Sequence, residues 1–184
     1  MKIYTRRGDG GETQLLTGRR VPKNDRFIEA LGELDEAISV LGLVRSKLEE
    51  NRFSAETKTI EAIQRIFFFL GTIVASEGRM AKEWQESLIL ELETEIDQKT
   101  KDLAELKDFI LPGSDQLSAT IHYARSVVRR AERVLVSLFM MASPVQPALA
   151  YVNRVSDYLF VLARWVSRRL KKPEIPVHPD SLLF

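Results

Sequence analysis

Residues 113–141, GSDQLSATIHYARSVVRRAERVLVSLFMM, carry the pattern that most restricts the fold. Leu117, Ile121, Ala124, Val128, Ala131 and Leu135 recur every three or four positions. That spacing lines one side of a helix with 3.6 residues per turn. A long helix with one apolar side must bury it against other elements. Beside the stripe stand Arg125, Arg129, Arg130 and Arg133 with Glu132 among them. Four arginines and one glutamate give a local charge of +3, in a chain whose net charge is +1. Polyanion or phosphate binding would account for the cluster, and so would ordinary surface and inter-helix pairing.

Four further stretches read as helices. Asn24 or Asp25 can cap the first, which runs to about Glu50 on Phe27, Leu31, Leu34, Ile38, Leu41 and Leu48. Asp35 adjoins that stripe. An unpaired carboxylate is costly to bury, so Asp35 is expected either to meet an arginine or to sit at a wet bundle edge. The second helix, 54–79, carries Ile60, Ile63, Phe67, Leu70 and Val74. Its run Phe67-Phe68-Phe69 wraps apolar surface around the helix, as a central helix or a subunit interface would require. The third, 84–106, is acid-rich, with a narrow stripe of Leu88, Leu92 and Ile96. Glu95 and Lys99 form an i,i+4 pair on a face read as solvated. The last, about 147–170, packs Val152, Val155, Leu159, Leu162 and Val166 inward, while Asn153 and Asp157 share another face. Pro147 suits its first turn.

The leader 1–23 differs. Gly8, Gly10 and Gly11 fall within four positions, flanked by Thr5, Asp9 and Thr13 and by Arg6, Arg7, Arg19, Arg20 and Lys23. Glycine-rich turns can aim several N–H groups at one anion. The Gly-Lys-Ser/Thr ending of a P-loop is missing, and a flexible polar tail is the alternative. Phe109-Ile110-Leu111 is a short apolar loop that ends at Pro112-Gly113, with Ser114 as the expected N-cap of the helix that follows. Residues 171–184 hold three prolines and read as an extended arm. No strand alternation of useful length is present. The expected architecture is all-α: one domain over 1–184, an antiparallel helical bundle over 24–170 between leader and arm.

Composition narrows the chemistry. There is no cysteine, so disulfides and thiolate metal sites are excluded, and His122 and His178 are the only histidines. No run reaches the roughly 18 apolar residues of a membrane span. The first dozen residues lack the apolar region of a secretory signal, and a cytoplasmic location is expected. The near-neutral charge argues against a general nucleic-acid binder.

Six blocks, taken together, carry a resemblance that covers nearly the whole chain. TRRGDGGETQL at 5–15 fits T-x-x-G-D-x-G-x-T-x-L. RVPKNDR at 20–26, GELDEAIS at 32–39, FILPG at 109–113, HYARSVVRRAER at 122–133 and NRVSDYLFVLAR at 153–164 follow in order. The chain resembles the PduO-type ATP:cob(I)alamin adenosyltransferases. The resemblance implies a ferritin-like five-helix bundle, assembled as a homotrimer with sites between subunits. It implies transfer of the 5′-deoxyadenosyl group of ATP to cob(I)alamin, with Mg²⁺ accompanying the nucleotide and triphosphate leaving. Partners would then include a reductase and an adenosylcobalamin-dependent client enzyme. The alternative is a non-catalytic ATP- or corrinoid-binding helical module.

The resemblance also distributes roles. Thr5, Gly8, Asp9, Gly10, Gly11 and Thr13 would wrap the polyphosphate, with Lys23 and Arg26 nearby. Arg129, Arg130, Glu132 and Asn153 would hold the nucleotide, and any direct metal contact would fall near Glu132. Arg125 and Asp35 would meet across the subunit boundary, and Phe109 would lie against the lower face of the corrin ring. Asp157 would be a structural or site-support residue. The nucleophile would be cobalt, which explains the lack of a protein nucleophile. The chain departs from the pattern at Ser114, where many members have a second glycine.

Overall fold

A computed structural model describes residues 3–81, 84–139 and 146–177. Two short strands come first, β1 (Glu12–Gln14) and β2 (Arg20–Pro22). Helices α1 (Arg26–Glu50), α2 (Ser54–Ala75) and α3 (Ser87–Lys101) follow. Then come β3 (Phe109–Leu111), α4 (Gln116–Phe139), α5 (Gln146–Arg169) and β4 (Ile175–Val177). Helix α1 packs on both α2 and α4, α4 on α5, and α5 on α3.

Chain direction follows from residues that meet. Arg26 and Ser137 border one depression, whereas Lys47 and Gln116 border another, so α1 and α4 are antiparallel. Asn153 reaches Glu132 and Ser167 reaches Asp115, so α4 and α5 are antiparallel too. The expected stripes are the core. All six apolar residues named for α4 are buried, as are all five for α5 and all five for α2. In α1, Leu34, Leu41 and Leu48 are buried, while Phe27, Leu31 and Ile38 are half-buried against them. The phenylalanine run of α2 splits three ways: Phe67 is buried, Phe69 half-buried and Phe68 72% exposed.

Several boundaries differ from the sequence reading. The N-cap of α1 is Asp25, whose side chain accepts from Phe27 N. At the start of α4 the cap is Asp115, not Ser114. Asp115 Oδ1 accepts from the amides of Leu117 and Ser118 at 2.8 and 2.9 Å. Helix α3 stops at Lys101 because tertiary bonds claim the next residues. The Asp102 carboxylate accepts from Trp165 Nε1 and pairs with Arg169, and Ala104 O accepts from Arg164. The expected end of α4 at Met141, the break that follows it and the tail beyond Val177, His178 included, lie largely outside the described residues.

The face of α3 read as solvated is partly internal. Lys99 is 7% exposed and pairs with Glu56 of α2 at 3.1 Å and with Glu95 at 2.6 Å. Its ammonium also lies 5.2 Å from the Trp165 ring centroid and 5.8 Å from that of Tyr158. Removing one partner of a buried pair leaves the other charged and dry. Lys99→Met should therefore lower stability by about 3 kcal/mol, read as a lower urea midpoint. Adding Glu56→Leu to that variant should recover most of the loss.

The short strands form two ribbons. β1 pairs antiparallel with β2, placing Thr13 opposite Val21. β3 pairs antiparallel with β4, placing Phe109 opposite Val177. The second ribbon ties down the C-terminal arm. Buried Arg164 reinforces it, holding Glu174 with two hydrogen bonds of 2.8 and 3.1 Å.

Candidate functional site

The leader is folded onto the bundle at the end where α1 begins and α2 ends. Its own Leu15 and Val21 are buried, and Leu16 N donates to Ala75 O at 3.0 Å. The glycine loop closes on itself, with Gly11 N donating to Gly8 O and Lys23 N to Gly11 O at 2.8 Å. Gly11 has φ +84°, a conformation that favours glycine. A β-carbon on Gly8 would stand 3.4 Å from Lys23 Nζ, so the lysine lies against the loop. Arg20 spans the hairpin from Glu12 to the carbonyl of Arg7. Thr5, Asp9 and Gly10 are exposed on the loop, and Thr13 is half-buried on β1.

Next to this hairpin the guanidinium groups of Arg19 and Arg26 lie 5.5 and 5.4 Å from the Phe27 ring centroid. Arg26 also borders a depression of about 250 Å³, with Arg130 and Arg133 of α4 and Glu29 of α1. The arginines divide sharply. Arg130 Nε donates to Glu33 at 2.7 Å and its Nη2 is paired with Glu36. Those bonds, Glu33 first, hold its pKa above the usual arginine value. Arg129 is exposed, and no hydrogen bond or ion pair engages its side chain within the described chain. Arg133 is also exposed and donates back to the Arg129 carbonyl at 2.9 Å. Beside them Asn153 Nδ2 donates to Glu132 Oε1 at 2.8 Å, so two of the residues singled out in the sequence meet across α4 and α5.

Arg125 is half-buried. Its guanidinium lies 6.0 Å from the Phe160 ring centroid, and its Nε is buried with no hydrogen-bond partner. Burial, with Arg129 close by, pushes its pKa down. Asp35 is exposed and has no side-chain partner within the described chain. The two do not meet in one chain. His122 is packed inside against Phe160, and burial first, then Arg125, pushes its pKa down to about 4. It is neutral near pH 7 and has no charge to offer an anion.

Phe109 stands at the other end of the bundle, where α4 begins and α5 ends. Its side chain is 78% exposed, beside a recess formed with Leu106, Lys107 and Asp108. Gln116 and Glu132 are separated by about 24 Å of helix, so one chain holds its leader and its Phe109 far apart. Asp157 pairs with Arg154 at 2.6 Å, and Arg154 reaches Glu93 of α3. That bond is structural in character. No group of three or more histidine, aspartate or glutamate side chains among the described residues could hold a metal ion. Sequence reasoning missed Glu33, Glu36, Glu77 and Glu174. Glu33, Glu36 and Glu77 each have an arginine partner more than 50 positions away, and Glu174 lies ten positions from Arg164, in the arm beyond α5.

Fold and site together define a class: five-helix bundles with a glycine-rich hairpin folded beside a cationic helix edge. The model of the cobalamin adenosyltransferase family matches residues 3–166, and the chain belongs to that family. It is 36% identical over 187 residues to the corrinoid adenosyltransferase of Bacillus subtilis, covering all of this chain and 96% of that one. It is 37% identical over 167 residues to the corrinoid adenosyltransferase of Citrobacter freundii, covering 89% and 93%. Its fold matches that of a phenylalanine-to-histidine variant of the PduO-type ATP:corrinoid adenosyltransferase from Lactobacillus reuteri, complexed with cobalamin and ATP. The TM-score is 0.89, at 35% identity, over 97% of both chains. Among the described residues no helix is long and apolar enough to cross a membrane.

Proposed function

We propose that this protein transfers the 5′-deoxyadenosyl group of ATP to the cobalt of cob(I)alamin. The observation that carries the reading is the match over 97% of both chains to a relative complexed with cobalamin and ATP. The cobalt supplies the electron pair, a Co–C5′ bond forms, the C5′–O bond breaks, and inorganic triphosphate leaves with that bond's electrons. The chain contributes binding, orientation and electrostatics.

The residue roles are those the family resemblance implies. Thr5, Gly8, Asp9, Gly10, Gly11 and Thr13 form the loop that wraps the polyphosphate, with Lys23 behind it and Arg26 at its edge. Arg129, unpaired among the described residues, grips phosphate oxygens with its planar fork and stabilises the charge that grows on the triphosphate. Arg130 adds positive potential from its place between Glu33 and Glu36. Asn153 and Glu132 act as a unit, the carboxylate fixing the amide that holds the nucleotide. Mg²⁺ enters with the ATP phosphates.

The site is shared between subunits of a homotrimer. The separation of leader from Phe109, and, among the described residues, an Asp35 without a side-chain partner and an Arg125 Nε without a hydrogen bond, support that arrangement. In the trimer Arg125 meets Asp35 of the partner subunit. Phe109 presses on the lower corrin face, excluding water and the lower axial ligand so that the cobalt is more easily reduced. A cytoplasmic reductase supplies the electron, and a client enzyme takes the adenosylcobalamin.

Incubation with ATP, Mg²⁺ and chemically reduced cobalamin tests the reading. The expected result is a product whose Co–C bond is cleaved by light. Binding of both substrates without that product would favour a carrier or sensor instead.

A further inference from the structure

Helix α2 closes as α1 and α5 do at Arg52 and Lys171, with a residue other than glycine in the left-handed position. Glu77 N donates to Val74 O at 3.0 Å and Gly78 N to Ile73 O at 2.9 Å, the paired closure that normally places glycine at the first left-handed position. Here Glu77 occupies it, with φ +55°, and glycine follows at φ +82°. A side chain with a β-carbon is disfavoured in this conformation, and what sets Glu77 apart from Arg52 and Lys171 is the bonding of its carboxylate to the leader.

Both carboxylate oxygens of Glu77 go to the leader. Oε2 accepts from Thr17 Oγ1 at 2.7 Å, and Oε1 pairs with Arg19 Nη2 at 2.9 Å. The Thr17 hydrogen bond, with Arg19 and Arg79, holds the carboxyl below its usual pKa. Thr17 and Arg19 lie in the turn between β1 and β2, where Leu15 N donates to Arg19 O and Gly18 N to Leu15 O. One bond from Leu16 to Ala75 lies alongside. The glycine loop lies at the opposite end of the same hairpin. Glu77 therefore touches none of the groups assigned to ATP, yet it fixes the turn from which they extend.

We propose that Glu77 is a positioning residue for the nucleotide, clamping the hairpin turn to the end of α2 and so setting where the glycine loop stands before ATP arrives. This inference rests on the adenosyltransferase reading. Glycine at position 77 suits the left-handed backbone, so Glu77→Gly removes the clamp without a folding penalty. The urea midpoint should not fall. KM for ATP should rise about tenfold, the scale of one charge-assisted contact, with kcat at saturating ATP and KM for cob(I)alamin within about twofold. Glu77→Gln, which keeps an acceptor for Thr17, should show a smaller rise. Trypsin cleavage after Arg19 and Arg20 in the ATP-free protein should be faster in Glu77→Gly. Unchanged KM and unchanged cleavage would overturn the clamp, as would an equal loss in kcat and both KM values. Should the unaltered protein make no adenosylcobalamin, the reading of function fails, and the cleavage rates still decide the clamp.

Discussion

Arg129→Ala should lower kcat by about 10²–10³, the usual cost of removing one preorganised donor from developing negative charge, while circular dichroism stays unchanged. The side chain is exposed and unpaired among the described residues, so its removal disturbs no bond among them. Its neighbour is a useful contrast. Arg130 is held by two carboxylates of α1, and Arg130→Ala strips a contact between α1 and α4 as well as a charge. A loss at Arg129 with native stability, beside a loss at Arg130 with lowered stability, would separate the two roles. Full activity of Arg129→Ala would remove the phosphate assignment.

Phe109→Ala should act on a different step. The residue is 78% exposed and sits on a strand fixed by β4 and by the Arg164–Glu174 pair. Truncation therefore leaves little behind to collapse. If the ring excludes the lower axial ligand, the reaction begun from cob(II)alamin with a reductant should slow by about 10²-fold. The reaction begun from pre-formed cob(I)alamin should slow far less, because the electron is already in place. Rates measured from the two starting points decide it, and equal losses would contradict the axial-ligand role. Leu111 and Ile175, about half exposed on the same ribbon, are controls that change apolar area near the site without removing the ring.

The helices were legible because their signal is periodic and redundant. Six stripe residues on α4 agree with one another, so no single misreading moves the helix. The clustered arginines were legible as a cluster but not as individuals. Arg129 and Arg130 are adjacent in sequence and point about 100° apart on a helix, so one meets Glu33 and Glu36 and the other meets none. No local pattern encodes that difference. Lys99 was read as solvated because its i,i+4 partner Glu95 suggested a surface pair. The third member, Glu56, is 43 positions away on another helix. The β3–β4 ribbon joins segments more than 60 residues apart, and three-residue strands carry too little alternation to announce themselves. Glu77 was invisible for a related reason: its cost is a backbone angle, which sequence alone does not display.

The central claim is that adenosyl transfer occurs at C5′ with the phosphate chain leaving whole. Phosphorus NMR of a completed reaction measures this directly. Intact inorganic triphosphate, released in a one-to-one ratio with adenosylcobalamin, is the predicted result. Diphosphate or monophosphate as the primary product, or no change in ATP while cob(I)alamin is bound, would contradict it.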